Sequence, residues 1–121
     1  MIGYVTLGTN DLERAKGFYD ALLAELGGKV WMSTERFCGW TQGNGPAVAV
    51  ITPHDGNAAT VGNGTMVALA AGSREQVDRV WRKALELGGK DEGAAGERFQ
   101  GFYAGYFRDL DGNKLAVFHM G

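Results

Sequence analysis

Apolar and polar positions along the chain change period in a fixed order, and then do so again. IGYVTLG (Ile2–Gly8) alternates with period two and is rich in β-formers, so it predicts a strand. In TNDLERAKGFYDALLAELGG, Leu12, Ala15, Phe18, Tyr19, Leu22, Leu23 and Leu26 recur at helical spacing and make one apolar face. Asn10 is placed to cap this helix, with Glu13 three residues on, and Gly27-Gly28 supplies its stop. Three short strands are predicted next, over Lys29–Thr34, Arg36–Gln42 and Ala47–Thr52, the last two separated by a Gly43-Asn44-Gly45 turn. Pro53–Gly64 is polar, small and turn-rich, which makes it a linker. The pattern then restarts. Thr65–Ala71 is a strand, and SREQVDRVWRKALELGG is a helix with a Ser73/Gln76 capping box and Val77, Val80, Trp81, Ala84 and Leu85 on one face. Strands follow near Arg98–Gly101, over Tyr103–Arg108 and over Lys114–His119, with Asp109–Asn113 as the last turn.

The restart has a literal trace. ERFCGW at Glu35–Trp40 returns as ERFQGF at Glu97–Phe102, 62 residues later (97 − 35). ELGGK occurs at Glu25–Lys29 and at Glu86–Lys90, and GNGPAV (Gly43–Val48) resembles GNKLAV (Gly112–Val117). Matches in the same order imply a duplicated unit. The expected fold is α+β: tandem βαβββ modules, residues 1–52 and 65–121, forming a curved mixed sheet around a cleft with helices on the outer face. A unit of about 60 residues buries only a marginal core alone, so the halves should pack together or exchange with a second chain.

Composition narrows the function. The net charge is −2, with 45% hydrophobic and 21% charged residues, and no basic patch suggests nucleic acid or an anionic membrane as a partner. No apolar run is long enough to span a bilayer, and MIGYVTLGTND lacks the basic start and apolar core of a signal peptide, so a cytoplasmic location is expected. Cys38 is the only cysteine, which excludes an intramolecular disulfide and a multi-cysteine zinc site.

Strand alternation divides the side chains between two faces. Val5, Leu7, Val67, Leu69, Leu115 and Val117 belong under the helices. Tyr4, Thr6, Met66, Ala68, Ala116, Phe118, Ala47 and Ala49 then face away, lining a trough.

The chain resembles the vicinal oxygen chelate superfamily, which includes glyoxalase I, bleomycin resistance proteins and extradiol dioxygenases. The likeness rests on GYVTLGTNDLERAKGFYDALLAELGG, PHDGNAATVGNGTMVALAA and YFRDLDGNKLAVFH, and covers nearly the whole chain. Leu110 stands where that family often has proline. The resemblance implies paired βαβββ modules around a shared cavity, homodimers, and, in metal-dependent members, a divalent ion held by His, Gln or Glu from the first and last strands of the modules. Carried over residue by residue, those ligand positions fall on Tyr4, Ala47, Met66 and Ala116. Alanine and methionine supply no ligand for a hard ion and a neutral phenol is a poor one, so no divalent metal and no other cofactor is expected.

Tyr4 should still point into the trough, where it is the one catalytic candidate. The expected small-molecule-binding set is Tyr4, Thr6, Met66, Tyr106, Ala116, Phe118, Trp40 and Arg98. Arg36 and Arg98 hold matched places in the repeated phrase and could clamp an anion, or could simply be solvated strand starts. His54 is expected in a solvated linker, His119 at the terminal surface, and Cys38 as a partly buried structural thiol rather than a nucleophile. The leading expectation is a metal-free protein that binds a small molecule, in the manner of bleomycin resistance proteins. A glyoxalase-like lyase, isomerase or dioxygenase with unusual ligands or metal-free acid/base chemistry stands second. A non-catalytic interaction module stands third.

Overall fold

Each half of the chain folds as its periodicity requires. In the computed structural model, which describes all 121 residues, the order is β1 (Tyr4–Gly8), α1 (Leu12–Ala24), β2 (Lys29–Ser33), β3 (Phe37–Thr41), β4 (Ala47–Ile51), then β5 (Val67–Ala70), α2 (Arg74–Glu86), β6 (Lys90–Phe99), β7 (Phe102–Arg108) and β8 (Lys114–Met120). This is βαβββ twice over. The strands form two separate four-stranded mixed sheets, ordered β1-β4-β3-β2 and β5-β8-β7-β6. In each, the first strand runs parallel to the last and the other neighbours are antiparallel. Residues 52–66 carry neither helix nor strand.

Each helix packs on one face of its own sheet, and the two helices pack on each other. Leu7, Cys38, Trp40, Val48 and Val50 from the first sheet, and Phe107, Leu115 and Val117 from the second, join Phe18, Tyr19, Leu22, Val77 and Val80 of the helices in one continuous core. Each large side chain fully buried there is worth about 1.5–3 kcal/mol. Polar ties cross the same seam. The Tyr19 hydroxyl donates to Asp109 Oδ2 at 2.5 Å, the Asn113 side-chain amide to the Gly8 carbonyl at 2.9 Å, and the Gln76 amide to the Glu25 carbonyl at 2.9 Å.

Four local expectations change. The cap of α1 is Asp11, whose carboxylate accepts from the Arg14 N–H, while Asn10 exchanges hydrogen bonds with Ala59 of the linker. Gln76 returns its bond to the Gly72 N–H rather than to Ser73, although Ser73 Oγ does accept from Gln76 N–H. The strand placed near Arg98–Gly101 is instead the ten-residue β6, which ends at Phe99. Its alternation is hidden in KDEGAAGERF by small residues, and three register shifts against β7 break the period.

The repeated phrase is the fourth. Pairing aligns Gly39 with Ala49 in the first sheet and Tyr106 with Ala116 in the second. With the parallel pairs Thr6–Ala49 and Ala68–Ala116, the last two strands of the modules are offset by 67 (116 − 49), not 62. ERFCGW leads into β3, but ERFQGF spans the end of β6 and the turn into β7. The duplication is visible in the fold, yet the most conspicuous match in the sequence is not a structural equivalence. The true counterpart of Trp40 is Phe107 (107 − 40 = 67), and both are buried under a helix.

Candidate functional site

The second face of each sheet is open. No substantial strand-to-strand packing joins the two sheets, so within one chain neither open face is covered by the other. Both faces are aromatic with floors of small residues.

On the first sheet Tyr4, Trp31 and Phe37 cluster, with ring centroids 5.6 Å apart for Tyr4–Trp31, 6.0 Å for Tyr4–Phe37 and 6.1 Å for Trp31–Phe37. The floor beneath is Gly39 and the fully buried Ala49. A Cβ on Gly39 would lie 2.9 Å from the Trp31 ring, so glycine is what lets the indole lie flat on the strand. Trp31 reaches this face through a register shift of β2 between Val30 and Met32. Tyr4 is 55% exposed and Trp31 44%.

On the second sheet Phe99 stacks on Phe102 at 4.9 Å and Phe102 on Phe118 at 5.7 Å. Tyr106 lies beyond them, with the Arg98 guanidinium 5.2 Å from its centroid. The floor is Ala104 and Ala116, both buried.

The expected binding residues thus separate into two groups. Tyr4 and Thr6 belong to the first face, and Tyr106, Ala116, Phe118 and Arg98 to the second. Met66 precedes β5 and borders an apolar hollow of about 510 Å³ between the modules, lined also by Leu23, Leu26, Ala47 and Val48. Trp40 is 2% exposed on the helix side of β3, its indole N–H donates to Asp20 at 2.6 Å and its ring packs on Tyr19 at 5.7 Å, so it belongs to the core and borders the same hollow as Met66 rather than the open face. Its neighbour Phe37 takes the open side by strand alternation. Arg36 and Arg98 do not hold matched places in the fold: Arg36 donates to the Thr52 carbonyl at 2.8 Å beside the first sheet, whereas Arg98 lies in β6 of the second. Trp31, Phe37, Phe99 and Phe102 were not in the expected set. The parity of Phe102 with Tyr106 was readable; the turn of Trp31 at an irregularity in β2 was not.

Elsewhere, His119 is half-buried with Nδ1 3.0 Å from the Ala71 carbonyl, tied to the residue that follows β5 rather than free at the surface, and His54 is exposed in the linker. Cys38 is buried, and desolvation pushes its thiol above the ordinary cysteine value.

The positions that would carry a metal do not supply a ligand set. Tyr4 is paired with Ala47, and Ala116 lies between Ala68 and Tyr106. Strand pairing makes Ala49, not Ala47, the counterpart of Ala116, and either alanine lacks a donor. No three His, Cys, Asp or Glu side chains converge as a group that could hold a metal ion. No helix is long and apolar enough to cross a membrane.

Residues 1–117 match the model of the Glyoxalase/Bleomycin resistance protein/Dioxygenase superfamily, and the chain belongs to that family. A glyoxalase/bleomycin resistance protein from Albidiferax ferrireducens T118 superposes with a TM-score of 0.93 at 36% identity, over 100% of this chain and 99% of that one. A hypothetical protein from S. aureus is 27% identical with a TM-score of 0.76, over 98% of this chain and 92% of that one. The fold is also that of a lactoylglutathione lyase from Agrobacterium tumefaciens, 20% identical with a TM-score of 0.73, over 98% of this chain and 92% of that one. No curated protein matches the sequence significantly.

Proposed function

We propose that this protein binds a small molecule against its open sheet faces without the metal centre used by metal-dependent relatives, and that a homodimer completes the cleft. The observation that carries the reading is the pair of exposed aromatic faces laid over alanine and glycine floors, where the expected metal positions offer only a phenol, a thioether and methyl groups. Stacked rings over a small-residue floor suit a flat apolar ligand and provide no Lewis acid. A second copy fits because Tyr4, Trp31, Phe99 and Met120 are 44–64% exposed in the single chain, and contiguous apolar surface of this kind marks an interface or a ligand site. Laying the second face of one chain over the first face of the other would create the enclosed trough that one chain lacks. Against a catalytic role for Tyr4 stands its setting: its close neighbours are the Trp31 and Phe37 rings, and neither can take a proton from it.

The test is metal content per chain by plasma mass spectrometry on untagged protein purified without chelator, before and after incubation with nickel, zinc, iron and manganese. Expected is far less than one ion per chain after gel filtration, together with a melting-temperature rise on adding flat apolar compounds. One retained ion per chain would overturn the metal-free reading.

A further inference from the structure

The second open face carries two cations that form no direct ion pair, although the Glu92 carboxylate feels the charge of Lys114. Tyr106 sits between two cations: the Arg98 guanidinium is 5.2 Å and the Lys114 ammonium 5.6 Å from its ring centroid. Neither is among the side chains that form ion pairs, whereas Arg108 next to Lys114 is held by Glu92 at 2.7 Å.

Arg98 is positioned by its own strand. Its side chain folds back over β6, and Nη2 donates to the Ala94 carbonyl at 2.5 Å. Two glycines make the room. A Cβ on Gly93 would stand 3.3 Å from Nη2 and 3.1 Å from the Tyr106 ring, and one on Gly96 would stand 3.3 Å from Nη1. Gly93 also has φ 151°, which disfavours other residues. The backbone takes one of the five guanidinium donors, which leaves most of the fork free beside the ring. On the other flank, Lys114 borders a hollow of about 460 Å³ under the linker turn Gly62–Thr65.

The apolar part of the face adjoins this charge. Phe118 is opposite Ala104, one alternation along from the Tyr106–Ala116 pair. Two residues along a strand is roughly 7 Å, about the distance from the middle of a flat bicyclic ring system to a carboxylate attached to it.

We propose that the ligand of this cleft is a flat aromatic or apolar carboxylate, its ring against Phe102 and Phe118 and its anion between Arg98 and Lys114 over Tyr106. This rests on the reading of the open faces as a small-molecule cleft and names the chemical class that cleft selects. An anion there meets two cations that have no ion-pair partner of their own, Arg98 the less compensated because Glu92 lies within the field of Lys114, and a neutral ligand of the same shape gains only the ring contacts.

The test is isothermal titration of the full chain with 2-naphthoate and with its neutral isostere 2-naphthamide, for the native protein and for Arg98→Gln, Lys114→Gln and the control Lys29→Gln, an exposed cation on the first module. All three sites are at least partly exposed, so the variants should fold, and unchanged far-ultraviolet dichroism would confirm it. Expected is naphthoate binding about ten-fold tighter than the amide, a loss of about that factor for naphthoate alone in Arg98→Gln or Lys114→Gln, and no change in Lys29→Gln. Equal binding of the two probes, indifferent to the variants, would overturn the anion proposal and leave the cleft reading standing. No binding of either probe would overturn both.

Discussion

The Tyr19 hydroxyl of α1 donates to Asp109 Oδ2 at 2.5 Å, joining the first module's helix to the second module's last turn inside the core. Asp109 does more than receive this bond. It also accepts from the Asp111 N–H, the Asn113 N–H and the Asn113 side-chain amide, so one carboxylate both shapes the turn and docks it. Tyr19→Phe removes one donor and leaves Oδ2 with the Asn113 amide, and should cost about 1–3 kcal/mol. Asp109→Ala takes the acceptor from all four of these donors and should cost more than that. Urea unfolding of the two variants checks the order; equal losses would mean that the turn does not depend on Asp109.

The same pair sets the behaviour in alkali. Burial first, and the Asp109 charge second, hold the Tyr19 phenol well above its usual range. The folded state therefore binds this proton more tightly than the unfolded chain. The resulting stability is complete below the unfolded value of about 10 and is lost as pH rises beyond it. Tyr103 is shifted the same way, chiefly by its hydrogen bond to Asp78. Melting temperature should fall above about pH 10, and the fall should be shallower in Tyr19→Phe once its lower starting stability is subtracted. An identical slope in both proteins would remove Tyr19 from the account.

How far the fold could be read depended on which signals were local. Helical spacing found both helices because Leu22, Leu23, Val77 and Val80 report a face within one element, and the same side chains are buried. Strand parity placed Val5, Leu7, Val67 and Leu69 correctly because those strands are regular. Parity failed wherever a strand is interrupted. β6 carries three register shifts and β2 one, which displaced the predicted strand near Arg98 and hid Trp31. Trp40 shares the parity of the buried Cys38, and that alternation alone puts it on the helix side of β3 rather than on the open face. The position of Lys114 beside Tyr106 is a cross-strand relation between β7 and β8, which no pattern along a single strand reports.

Gly105 is a second place where one hydrogen atom decides packing. A Cβ there would meet the Trp81 indole at 3.0 Å at Cδ1 and 3.1 Å at Cγ, and the indole is fixed by its N–H donating to the Tyr106 carbonyl at 3.2 Å. Gly105→Ala should therefore cost about 1–3 kcal/mol as overpacking, and Trp81→Phe in the same chain should recover part of the loss. Strict additivity of the two substitutions in denaturant titrations would show that the contact is not the cause.

Cys38 should be chemically silent in the native protein. It is buried, and desolvation raises its pKa, so both access and thiolate fraction are low. Reaction with a thiol reagent such as dithionitrobenzoate at pH 8 should be slow and should accelerate on adding denaturant, in step with unfolding. Fast stoichiometric labelling of the folded chain would place the thiol in an opening of the sheet that the core packing does not allow.

Association is the last expectation, and it follows from what the single chain leaves uncovered. Tyr4, Trp31, Phe99 and Met120 lie on faces that nothing in the chain packs against, and their exposure places apolar rings in water. Pairing the first face of one copy with the second face of another would bury both sets twice, by two-fold symmetry. Light scattering coupled to gel filtration should give twice the 12.9 kDa of one chain. A Trp31→Glu/Phe99→Glu double variant should shift the mass toward the monomer while leaving helix and strand dichroism intact, because neither side chain belongs to the core. If the proposed pairing completes the trough, the double variant should also abolish any small-molecule-dependent rise in melting temperature. A monomer that still responds to ligand would place the whole cleft within one chain.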